Sequence, residues 1–121
     1  MKLWRPVGRN ELKLIEQSGW RAFPPRLPEQ PIFYPVLNFP YAEQIARDWN
    51  SKAENHAYVG FVTEFDVDDD YVAKFQTEVV GGSSHKELWV PAEELEDFNG
   101  HIRGKIEVVA KYERGERVDA Q

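Results

Sequence analysis

Six of the eight prolines fall between Pro24 and Pro40, and this run restricts the chain more than any other feature. Proline fixes φ and removes a backbone donor, so the stretch suits neither a helix interior nor a central strand. An extended excursion with at most an edge strand is expected there. Ile32-Phe33-Tyr34, β-branched and aromatic, is the segment best suited to that strand.

The flanking sequence must therefore supply the regular structure. Residues 2–5 read as a short opening strand. A helix from Asn10 to Ser18 follows, with Asn10 as its cap, Glu11 at its positive end, and Gly19 to stop it. A second helix is expected over Tyr41 to Trp49, with Tyr41, Ile45 and Trp49 on one face beside Ala42 and Ala46. Residues 58–67 form the clearest strand, with Val59, Phe61, Phe65 and Val67 pointing one way. Asp68, Asp69 and Asp70 open a short helical turn that reaches Phe75. Strands follow at Gln76–Val80 and Glu87–Val90, separated by a Gly81–Ser84 loop. A helix over Pro91–Asn99 and a strand over Lys105–Tyr112 complete the pattern, with Ile106, Val108, Ala110 and Tyr112 sharing a face. Strands and helices do not alternate regularly, so the expected class is α+β. One domain should span residues 1–113, leaving 114–121 as a polar tail that frays.

Composition narrows the function. The formal net charge of −6 argues against general nucleic-acid binding. The charge is uneven: residues 1–30 carry +3 and the rest −9. A basic zone on an acidic protein can attract a phosphate-bearing small molecule. The chain has no cysteine, which removes thiol chemistry and Cys-zinc sites. No apolar leader opens the sequence, and no run approaches the roughly 20 apolar residues of a membrane span. A cytoplasmic location and no membrane partner are expected.

Several motifs carry little. Asp66, Asp68 and Asp70 have the spacing of the first ligands of a calcium loop. However, Tyr71 and Thr77 stand where that loop needs Gly and Glu, so no metal is expected. Gly81-Gly82-Ser83-Ser84 lacks the Gly-Lys-Ser/Thr ending of a phosphate-binding loop. His56, His85 and His101 show no ligand spacing.

More informative is the order of four pieces. Leu3-Trp4-Arg5 ends an opening strand with an arginine, and a helix ending in Ser18-Gly19 follows. Phe33-Tyr34-Pro35-Val36-Leu37-Asn38 runs into the helix bearing Ala42 and Ala46. Last come His85-Lys86-Glu87-Leu88-Trp89-Val90-Pro91 and Ile106-Glu107-Val108. This order resembles the ADP-ribosyltransferase superfamily. In its arginine-type branch, an Arg lies on the first strand and a Glu on a late strand is followed by apolar residues and a proline. The Arg5-Pro6-Val7-Gly8, Phe23-Pro24-Pro25-Arg26 and Glu87-Leu88-Trp89-Val90-Pro91 segments are similar to those of small bacterial proteins grouped as ADP-ribosylation/crystallin J1.

The resemblance implies a compact split antiparallel sheet with short helices and a site for NAD as substrate, without metal. It assigns Glu87 and Arg5 as catalytic, and Arg5, Tyr34, Asn38 and His85 as cofactor contacts. Arg5 would meet the diphosphate or ribose, and Tyr34 would stack on nicotinamide. Glu87 would stabilise the sugar cation as nicotinamide leaves. NAD or ADP-ribose, and a protein acceptor, are the implied partners. The chain departs from the family at His85, where Glu or Gln is usual, and at Pro6, where a Gly is common. A non-catalytic domain of the same fold, binding a nucleotide or a protein, is the alternative. An ADP-ribosyl hydrolase of the crystallin J1 type is rejected, because that fold is large, all-helical and metal-dependent.

Overall fold

Residues 59–67 are apolar at nearly every second position and carry Val62 and Thr63 between, so this strand can be satisfied only with material on both faces. The computed structural model, which describes residues 1–80 and 85–118, places it accordingly. Strand β3 (Val59–Val67) lies between β1 (Lys2–Gly8) and β6 (Ile102–Glu113), and β7 (Glu116–Val118) pairs with the outer edge of β6. A second sheet contains β2 (Ile32–Phe33), β4 (Gln76–Val79) and β5 (Lys86–Pro91), in the order β2-β5-β4. All the strand pairs are antiparallel. Among the described residues, four short α-helices join them: α1 (Arg9–Gln17), α2 (Phe39–Asp48), α3 (Asp69–Val72) and α4 (Leu95–Gly100). The class is α+β, with two antiparallel sheets. No helix among the described residues is long and apolar enough to cross a membrane.

Two apolar clusters flank the larger sheet. One gathers Leu3, Val7, Phe23, Phe33, Phe65, Leu88 and Phe98 with their neighbours. Its rings meet edge-on or tilted, with Phe23 lying 5.0 Å from Phe33 and 4.8 Å from Phe65. Such pairs add about 0.5–1.5 kcal/mol each beyond area burial. The other cluster packs Tyr41, Ala42 and Ala46 of α2 on Val36, Val62, Ala110 and Tyr112. Gly60 permits this close approach: a Cβ there would sit 2.3 Å from the Ala46 carbonyl oxygen.

Several local expectations give way to specific causes. Gly8, not Asn10, caps α1, because the strand runs straight into the helix. Asn38 caps α2 by accepting from the Tyr41 amide. That shifts the helix earlier and leaves Trp49 past its end, 72% exposed rather than on the buried face. In β6 the register against β3 slips between Val62–Ala110 and Thr63–Val108. Val109 is therefore an extra residue, and the alternation inverts there. Ile106 and Val108 face the first cluster, whereas Ala110 and Tyr112 face the second. The helix expected over Pro91–Asn99 starts late, with a 3-10 turn at Ala92–Glu94 before α4. Arg114 and Gly115 both have positive φ and form a tight hairpin turn, so residues 116–118 are a strand rather than a frayed tail. The Gly81–Ser84 loop lies outside the described residues.

Candidate functional site

The proline-rich excursion positions the site. Its residues 32–37 run beside β5 in one continuous register: Ile32 opposite Pro91, Phe33 opposite Val90, and Val36 bridged to Glu87. Between them the Leu88 amide donates to the Pro35 carbonyl (2.8 Å) and the Leu37 amide to the Lys86 carbonyl (3.1 Å). Pro35 gives up a donor but still accepts, so the pairing survives. Val36 also pairs with Trp4 of β1, at 2.7 and 3.0 Å, and thereby ties the two sheets together.

Alternation then sorts the side chains. Phe33 and Val90 enter the first cluster. On the opposite face lie Tyr34, Val36, Glu87 and Trp89. The Glu87 carboxylate accepts from the Tyr41 hydroxyl at 2.7 Å, with the Trp89 indole N–H pointing at its other oxygen from 3.4 Å. The Tyr34 ring meets Trp89 edge-on at 5.7 Å. His85 lies flat on the Tyr41 ring, 4.4 Å away and tilted by 9°. Asn38 reaches the same place indirectly, because its Oδ1 holds the Tyr41 amide at 2.8 Å. Burial, reinforced by the bond to Glu87, pushes the Tyr41 phenol above its ordinary range. The Tyr41 hydroxyl, protonated at neutral pH as any phenol is, donates to the carboxylate and keeps it in one orientation.

The structure brings Glu87, His85 and Asn38 together around Tyr41 and sets Tyr34 on the neighbouring Trp89. It sends Arg5 elsewhere. The strands of Arg5 and Glu87 do approach through Val36, but Trp4, not Arg5, is in register with Glu87. An offset of one residue turns a strand side chain to the other face. Arg5 accordingly lies over the Phe33 ring at 4.7 Å and makes a two-pronged pair with Glu11, at 2.6 and 3.0 Å. The two side chains do not share the expected single pocket.

Three residues of this arrangement escaped the sequence. Tyr41 reads as the apolar face of a helix, and Trp89 as core. Glu11 reads as compensation for the helix dipole, although its charge beside the only buried arginine among the described residues was a usable signal. A cleft of about 1030 Å³ lies away from all of these residues, between Asp66–Asp70, Tyr71, Lys74, His101 and Arg103. Its charges largely meet each other: Asp69 holds the N-terminal ammonium and Asp68 pairs with Arg103. The partly exposed Glu87 row, with a fixed carboxylate among rings, has more to offer a ligand. Comparison with protein-family models, curated proteins and solved structures found no match for the chain.

Proposed function

We propose that the chain is an ADP-ribosyltransferase-like domain that binds NAD or ADP-ribose along the Tyr34–Trp89–Glu87 row. One observation carries the reading: a half-buried carboxylate held by Tyr41, whose ring carries His85 stacked on it, and approached by the Trp89 indole. A ribose offers hydroxyl donors to such a carboxylate, and a nicotinamide offers a flat face to the rings. The family resemblance of the Glu87-Leu88-Trp89-Val90-Pro91 segment supports the same assignment.

In the enzymatic form, the bond from C1′ of the ribose to the nicotinamide nitrogen breaks. Its electron pair returns to the pyridinium ring, which leaves neutral. Positive charge builds on the sugar, and Glu87 stabilises it at close range. A water or a protein acceptor then adds to C1′ and gives up a proton to solvent. A second reading, a binding domain without catalysis, draws on a different observation: Arg5 is engaged by Glu11 and Phe33, so it does not present a free fork to the ligand.

Calorimetry with NAD and ADP-ribose tests the site for both readings. Binding in the micromolar to millimolar range is expected, with Glu87→Ala weakening it at least tenfold. Equal affinity in wild type and a folded Glu87→Ala protein would refute the site.

A further inference from the structure

The split between β1 and the excursion holds an imbalance of charge. Arg26 is half-buried, and its Nε–H donates to the Ile32 carbonyl at 3.2 Å. The next residue, Phe33, carries the Arg5 guanidinium over its ring. Two guanidinium groups are thus anchored to consecutive residues of one strand, and the Glu11 carboxylate beside them is committed to Arg5 through both its oxygens. Among the described residues Arg26 makes no ion pair. Loss of solvent, then repulsion from Arg5, lowers the Arg26 pKa, and Glu11 offsets this only in part. A half-buried cation with an incomplete set of acceptors is stabilised by an incoming anion.

We infer that Arg26, with Arg5 behind it, is the seat of a phosphate-class anion, and that the diphosphate of the ligand lies there. The inference rests on the proposed binding of NAD or ADP-ribose for its ligand, but the anion seat stands on its own geometry. Nε is occupied by a backbone carbonyl, which fixes the guanidinium plane and leaves the outer nitrogens to form a fork with phosphate oxygens. Tyr34 connects the seat to the Glu87 row: it stands two residues beyond the Ile32 carbonyl that holds Arg26, and its ring meets Trp89, whose indole points at Glu87. The ribose and diphosphate of one ligand would then be read by different residues, with Arg26 taking the part that the family resemblance gives to Arg5.

Three probes separate the parts. Pyrophosphate reports the anion seat, nicotinamide riboside the phosphate-free end, and ADP-ribose the combination. Calorimetry should show Arg26→Ala weakening pyrophosphate and ADP-ribose at least tenfold, with nicotinamide riboside unaffected. Glu87→Ala should weaken nicotinamide riboside and ADP-ribose but leave pyrophosphate unchanged. Raised salt should weaken pyrophosphate binding to wild type, as expected for a charged contact. Arg26→Gln, which retains a donor for the Ile32 carbonyl, replaces Arg26→Ala if that variant fails to fold. The inference is overturned if wild type does not bind pyrophosphate at millimolar concentration, or if the Arg26 variants bind it as wild type does. Loss of ADP-ribose affinity in Glu87→Ala alone would then leave the proposed function standing without this seat. Pyrophosphate binding that depends on Arg26, with ADP-ribose indifferent to Glu87, would uphold the seat and remove the proposed function.

Discussion

Glu87→Gln should slow nicotinamide release from NAD by roughly 10²–10³, the loss expected when one preorganised transition-state contact is removed. The substitution is narrow. Gln keeps the length of Glu87 and an oxygen for the Tyr41 hydroxyl, now 2.7 Å from the carboxylate. What disappears is the negative charge, which matters most when the ribose has become cationic. kcat should therefore fall far more than KM rises. A melting curve supplies the folding control. A folded Glu87→Gln protein that turns over like wild type would take Glu87 out of the chemistry. A wild type that releases no nicotinamide with water or any protein acceptor would leave the binding domain as the surviving reading.

The second large effect falls on stability. Glu11→Ala should cost about 3 kcal/mol, at the lower end of the range for stranding one member of a buried ion pair. Arg5 has the more to lose, because its side chain is 11% exposed against 23% for Glu11. Without Glu11 the guanidinium stays over Phe33 with its best acceptor gone. Arg5→Met should cost less, since Met keeps the packing on Phe33 and leaves behind a carboxylate that reaches water more easily. Urea titrations of the two variants measure the order. If Arg5→Met proves the more damaging, the pair does not work as this geometry implies.

Much of the fold was legible because its signals are local. The proline run did keep residues 24–38 free of helix, and the alternation in residues 59–67 marked the central strand. What escaped depended on register, which no single segment encodes. The extra residue at Val109 inverts the faces of β6, and only the pairing with Val62 and Thr63 reveals it. The candidate site failed in the same way. Arg5 and Glu87 lie on strands that Val36 brings together, yet Trp4 rather than Arg5 stands in line with Glu87. One residue of offset puts the two charges on opposite faces. Tyr41 was placed on the buried face of its helix, as observed. Its hydroxyl bond to Glu87 spans 46 positions in sequence and leaves no local trace.

The most direct test of the ligand row is a titration of the 15N-labelled protein with ADP-ribose, followed by NMR. The Trp89 indole N–H points at the Glu87 carboxylate, so its resonance reports on that group. Trp49, at the other end of α2 from Tyr41, serves as an internal reference. The Trp89 indole and the amides of Val36–Asn38 and Lys86–Trp89 should shift together and saturate, while the Trp49 indole stays in place. Shifts confined to Asp66–Asp70 and His101–Arg103, or none at saturating ligand, would contradict the proposal that NAD or ADP-ribose binds along this row.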